Sequence, residues 1–226
     1  MSSDIIALKE LIVEIGRRLW QRGYIASNDG NISIRLDENQ ILTTPTGVSK
    51  GFMTEVMILR VNMNGDMLEE SEYKPSSEVK MHIEVYKQRD DINAVVHAHP
   101  PFATAFAVAG IPMNQNVLPE AVLTLGAVEI APYGTPSTAE VPDSIRPIVQ
   151  HSDAVLLENH GALTLGIDLI TAYHRMETLE HTASIISKAM QLGKLNEITK
   201  PEVRKLMEIR KKYNFPGRIC IPGIED

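Results

Sequence analysis

The chain has 226 residues, 43% of them hydrophobic and 23% charged, and 22 Lys and Arg against 29 Asp and Glu leave a formal net charge of −7. This length accommodates one large domain or two small ones with a sizeable core, and the acidic balance argues against a nucleic-acid backbone or an anionic membrane surface as the main partner, so any anion must be held by local geometry. The single cysteine, Cys220, excludes an internal disulfide and every thiolate-rich metal site, fits a reducing compartment, and leaves histidine as the ligand for any zinc.

Asp4 can cap a first helix in which Ile5, Leu8, Leu11, Ile12, Ile15 and Leu19 recur at spacings of three and four, ending near Gly23. The acidic and basic residues of this opening segment do not form a secretory signal, and the longest weakly polar stretch, 102–113, is far short of the roughly 20 apolar residues of a membrane helix, so a soluble cytoplasmic protein is expected. Short alternating runs at 31–35, 40–44 and 57–61, separated by turns such as Asn28-Asp29-Gly30 and Asn64-Gly65, read as an antiparallel meander. Ser76-Ser77-Glu78 opens a helix that runs to about Gln88, and Ala94-Val95-Val96 is a buried strand leading into His97. Helices are expected at 101–110, 137–149, 167–192 and 200–213, and strands at 154–157 and 162–165, with 114–135 mixed. No repeat, low-complexity segment or flexible linker interrupts the chain, which favours one α/β domain over residues 1–226.

The seven histidines are unevenly placed. His97 and His99 leave a strand on one side, about 6–7 Å apart, a separation that one metal ion can bridge. His160 follows the apolar strand 154–157 in Glu158-Asn159-His160-Gly161, and strand ends are where α/β folds place functional groups. Three neutral imidazoles and an open position make a catalytic zinc pattern, and satisfied buried histidines are the competing reading. Glu78, beside Ser76 and Ser77 at a helix start, adds a carboxylate, while the serines serve either as caps or as donors to a phosphate. Two further turns, Asn28-Asp29-Gly30-Asn31 and Thr44-Pro45-Thr46-Gly47, supply more small polar donors. His82 shares a helix face with Glu78 and reads as a packing or hydrogen-bonding residue; His174 and His181 read as core or interface residues.

In order, Gly30-Asn31-Ile32-Ser33-Ile34-Arg35, Thr44-Pro45-Thr46-Gly47, Pro75-Ser76-Ser77-Glu78, Val96-His97-Ala98-His99-Pro100, Ala131-Pro132-Tyr133 and Glu158-Asn159-His160-Gly161 resemble the class II aldolase/epimerase/adducin-head family, in the manner of its L-fuculose-1-phosphate aldolase branch. The resemblance extends to about Tyr213. It implies a three-layer α/β/α domain with a central, mostly antiparallel nine-stranded sheet, assembled as a homotetramer with zinc sites at subunit interfaces. By position it implies His97, His99 and His160 as zinc ligands, Glu78 as the proton-exchanging residue, and Asn31, Thr46, Gly47, Ser76 and Ser77 as a phosphate cradle. The implied activity is that of a metal-dependent aldehyde-lyase cleaving a ketose 1-phosphate to dihydroxyacetone phosphate and an aldehyde.

Two departures from the branch matter. Its proton-donating tyrosine from the neighbouring subunit has no counterpart, since no tyrosine lies between Tyr86 and Tyr133; Val117-Leu118-Pro119-Glu120-Ala121 occupies that region, with Glu120 as the candidate substitute. Tyr213 resembles a C-terminal tyrosine that reaches the adjacent active site. Competing activities within the family are a pentulose-5-phosphate 4-epimerase, which tends to carry aspartate at the position of Glu78, a thioribulose-phosphate dehydratase, which usually lacks glutamate there, and an oxo-tetronate-phosphate decarboxylase. The adducin head is the non-enzymatic alternative and has lost the ligands that are intact here.

Overall fold

The computed structural model describes residues 3–224. Helix α1 (Ser3–Gln21) buries the stripe Ile12, Ile15 and Leu19 completely, as its three-and-four spacing requires. It begins two residues before the Ile5 start that an Asp4 cap implies, so Asp4 lies in its first turn, where a negative charge complements the helix dipole. Strands β1 (Asn31–Arg35), β2 (Gln40–Thr43) and β3 (Leu59–Asn62) form the expected antiparallel meander. The third strand starts two residues late because Glu55–Met57 winds into a 3-10 turn, the second of two that follow β2; the first is Lys50–Phe52.

The remaining elements are α2 (Val79–Gln88), β4 (Ala94–Ala98), α3 (Pro101–Ala109), α4 (Pro119–Thr124), β5 (Glu129–Ala131), α5 (Glu140–Val149), β6 (Ala154–Leu157), β7 (Gly161–Gly166), α6 (Leu169–Gln191) and α7 (Lys200–Lys212). Asp168 caps α6 by accepting the Thr171 amide at 2.7 Å. The mixed segment 114–135 resolves into α4 and β5.

Among the described residues the sheet has seven strands in the order β3-β2-β1-β4-β7-β6-β5, antiparallel throughout except for the β5–β6 pair. The nine strands implied by the resemblance are therefore corrected to seven. Pro45 pairs with Pro75, and Met113 with Val128, as isolated bridges that do not propagate into ladders. Proline has no amide to extend a ladder, and Met113 itself follows Pro112.

Side-chain alternation divides the apolar residues between the two faces. Ile32, Ile34, Ala94 and Val96 pack with α1, α3 and α6 on one side, whereas Val95, Val155, Leu163 and Leu165 pack with α2 and α5 on the other. The result is a helix–sheet–helix sandwich with two cores, and α4, α7 and Ile221 close a third, smaller cluster at the side. His97 has the parity of Val95 and so faces α2, across from Asn31 in the β1–β4 register. The C-terminal end of β4, the start of β1 and the β6–β7 turn meet at one end of the sheet, directly beside the N-terminus of α2.

A candidate metal centre beside a polar cavity

Three local features bring three imidazoles to that sheet end. His97 is the penultimate residue of β4, wholly buried, and His99 lies one residue beyond the strand. His160 closes the tight β6–β7 turn, where Asn159 takes a left-handed φ of 54° and the His160 amide donates to the Leu157 carbonyl at 3.0 Å. Glycine is required next, since a Cβ at 161 would come within 2.6 Å of both the Ala98 carbonyl oxygen and the His99 ring. The ring centroids of His97, His99 and His160 form a near-equilateral triangle with sides of 5.0, 4.7 and 5.0 Å.

Hydrogen bonding orients these rings. His97 Nδ1 lies 2.9 Å from the Ala162 carbonyl oxygen, an acceptor only, so Nδ1 carries the proton and Nε2 presents its lone pair inward. His99 Nδ1 faces the Asp29 carboxylate at 3.5 Å, which turns its Nε2 to within 3.2 Å of His97 Nε2. Glu78, the residue preceding α2, brings one carboxylate oxygen 3.2 Å from His160 Nε2 and the other 3.5 Å from His97 Nε2. The Asn31 amide donates to Glu78 at 2.9 Å and to Ser76 Oγ at 3.4 Å.

The ionisation states follow from this packing. Burial lowers His97 to about 3, with the neighbouring His99 and His160 rings acting in the same direction. His99 is lowered too, by burial and then by His160, against the pull of Asp29 and Glu78. For Glu78, burial raises the carboxyl, but His97, His160 and the Asn31 amide outweigh it and hold it well below the usual carboxylate range. Neutral imidazoles beside an ionised carboxylate are the forms that ligate cations.

The donor set passes a fit test for a divalent metal. One ligand nitrogen from each of His97, His99 and His160 can be chosen so that all lie within 4.8 Å of one another. Two nitrogens about 2.05 Å from a tetrahedral zinc are about 3.4 Å apart, close to the 3.2 Å between His97 Nε2 and His99 Nε2. Buried Glu78 Oε1 has no hydrogen-bond donor, as expected of an oxygen reserved for a cation or a proton in transit.

A cavity of about 230 Å³ opens from this cluster, lined among others by Thr46, Ser76, Ser77, Glu78, His99 and His160. The two serines precede α2 instead of opening it, because the Glu78 amide turns back to Ser76 Oγ at 3.3 Å and the first helical residue is Val79. Asn31 does not line the cavity but holds Glu78, and Gly47, with a φ of +71°, reverses the chain beside Thr46. Glu120 lies elsewhere, exposed in α4 on the wall of a separate cavity of about 520 Å³ with Arg22, Tyr24, Phe102 and Glu180. Tyr213, 65% exposed at the end of α7, is likewise outside the imidazole cavity of its own chain.

His82 is the buried hydrogen-bonding residue expected, with Nδ1 at 2.7 Å from Ser33 Oγ, which in turn contacts the Tyr86 hydroxyl at 2.7 Å. His174 and His181 are exposed and so are not core residues in this chain. The sequence reading did not nominate Lys50, which lines the same cavity, nor the individual role of Asp29 behind His99. The polar turn at 28–30 was the available signal for Asp29; no periodicity marks Lys50 as buried.

The family model described as "Class II Aldolase and Adducin N-terminal domain" matches residues 10–187. A 3-oxo-tetronate 4-phosphate decarboxylase of Haemophilus influenzae is 33% identical over 205 residues, covering 89% of this chain and 96% of that protein. An L-fuculose phosphate aldolase of Methanococcus maripaludis is 36% identical over 173 residues, covering 76% of this chain and 92% of that protein. Among solved structures, an L-fuculose 1-phosphate aldolase superposes with a TM-score of 0.84 at 29% identity, covering 95% of this chain and 98% of the other.

Proposed function

The chain belongs to the class II aldolase and adducin N-terminal domain family, and from that premise we propose that it is a zinc-dependent aldolase cleaving a ketose 1-phosphate of the L-fuculose 1-phosphate type to dihydroxyacetone phosphate and an aldehyde. The observation that carries the reading is the placement of the Glu78 carboxylate within 3.5 Å of two of three converging imidazoles, in one cavity with Ser76, Ser77 and Thr46. Acid–base group, metal ligands and anion donors are thus within reach of one small substrate.

His97, His99 and His160 would hold the metal, which when bound supplies Lewis-acid polarisation of the substrate oxygens flanking the bond to be broken. The side chains do the rest. Thr46, Ser76 and Ser77 hydroxyls bind the phosphate and fix C1, which orients C2 and C3 toward the imidazoles. As the C3–C4 bond breaks, its electron pair moves toward the C2 carbonyl, and the C4 hydroxyl passes its proton to the ionised Glu78 carboxylate as the aldehyde forms. Glu78 then delivers that proton to C3, and Asn31, bonded to Oε2 of the same carboxylate, leaves Oε1 to carry it. Glu120 and Tyr213 take part at the aldehyde end from a neighbouring subunit of a homotetramer, each chain acting as one domain over 1–226 in the cytoplasm.

A second reading, decarboxylation of a 3-oxo-tetronate 4-phosphate, has its own support in the Haemophilus influenzae relative, which aligns with 89% of this chain. Both reactions leave an electron pair beside a carbonyl, and they differ in the departing fragment. The test is product identity across a panel of ketose 1- and 5-phosphates and a 3-oxo-tetronate 4-phosphate. Release of dihydroxyacetone phosphate from a ketose 1-phosphate supports the aldolase; carbon dioxide, an epimer or a dehydrated product in its place overturns it.

A further inference from the structure

Lys50 has no part in the chemistry above, yet its position is costly. It opens the 3-10 turn Lys50–Phe52 and is 1% exposed. Its backbone is pressed against α1, where a Cβ on Gly16 would come within 2.7 Å of the Lys50 carbonyl oxygen. Nζ donates to the backbone carbonyls of Asn28 and Val48, each at 2.8 Å, and among the described residues no carboxylate forms an ion pair with it. An ammonium taken out of water without an anionic partner is strongly disfavoured, and two carbonyl bonds leave the third of its N–H donors unassigned.

Among the described residues Lys50 is also the only lysine or arginine lining the 230 Å³ cavity, which it shares with Thr46, Ser76 and Ser77 and with the acidic Asp29 and Glu78. A phosphate dianion entering a cavity with two carboxylates needs a counter-charge that hydroxyls do not supply. Burial draws the Lys50 ammonium down to about 8, and Asp29 and Glu78 oppose the fall, which keeps it mostly charged at neutral pH.

We infer that Lys50 pairs with the phosphate group of the substrate and, through its two carbonyl bonds, ties the turns around Asn28 and Val48 into the phosphate-binding wall. This rests on the reading of the cavity as a sugar-phosphate site. The experiment is calorimetric titration of inorganic phosphate into metal-loaded wild type, Lys50→Gln and Lys50→Arg, with metal content and unfolding midpoint measured on each; Lys50→Met serves in place of any variant that does not fold. The expected result is phosphate binding by wild type, at least tenfold weaker binding by Lys50→Gln at unchanged metal content, and substantial recovery in Lys50→Arg, with KM for the phosphorylated substrate following the same order. Equal phosphate affinity in wild type and Lys50→Gln overturns the role of Lys50 while the phosphate reading stands. Absence of phosphate binding in wild type overturns both.

Discussion

His82 gives the structure a specific acid sensitivity. Its ring is fully buried on α2, and the groups facing it are the Ser33 hydroxyl, through it the Tyr86 hydroxyl, and the charge of Glu78 one turn earlier. Burial lowers it to about 3 from 6.5, while Glu78 pulls weakly the other way. The unfolded chain therefore takes up a proton below pH 6.5 that the folded chain refuses, so stability is complete above that value and is lost as the pH falls from 6.5 toward 3. The loss is about 1.4 kcal/mol per pH unit for one such group, or about 2 kcal/mol between pH 6.5 and 5. Urea unfolding of metal-free protein at pH 7, 6 and 5 should show at least this slope, since buried His97 adds its own contribution, and His82→Gln should reduce the loss by about 2 kcal/mol over that interval. An identical pH dependence in wild type and His82→Gln would refute the assignment of a neutral, buried imidazole.

Other outcomes follow from the same geometry. Glu78→Gln keeps all three imidazoles, so metal content should stay near wild type while kcat falls by about 10²–10⁴; loss of metal together with activity would make Glu78 a ligand and remove its role as acid–base group. Gly161→Ala forces a Cβ into the Ala98 carbonyl and the His99 ring, and should cost about 1–3 kcal/mol of stability and weaken metal affinity; normal metal binding would show that the turn has slack. Asp153→Asn removes the charge that Arg89 and Arg175 share at 2.8 and 3.0 Å in a buried cluster, with an expected loss of about 3–5 kcal/mol by thermal or urea unfolding and no change in the metal content of the folded fraction.

The His-x-His pair, the histidine after an apolar strand, and the Ser-Ser-Glu helix entry were legible because each joins a chemically distinctive residue to a local pattern of alternation or capping. The meander and the long C-terminal helices were legible for the same reason. What escaped depends on chain segments distant in sequence. Asp153, in an unremarkable loop, accepts from Arg89 and Arg175 and from the Arg218 amide, so its burial is set by three elements that no local window contains. Lys50 looks like an ordinary surface lysine until Gly16 of α1 packs against its backbone and the turns around Asn28 and Val48 close on its ammonium. The strand count differed because isolated bridges at Pro45–Pro75 and Met113–Val128 stop where proline chemistry stops a ladder.

The central claim, that carbon–carbon cleavage depends on a metal held by His97, His99 and His160, is tested most directly by following dihydroxyacetone phosphate release from an L-fuculose 1-phosphate-type ketose before chelation, after it, and after stoichiometric zinc is returned. Activity lost to the chelator, restored by zinc, and unaffected by borohydride in the presence of substrate is the predicted result, because the proposed chemistry uses no Schiff-base lysine. Cleavage that persists after stringent metal removal, or that borohydride abolishes, would contradict it.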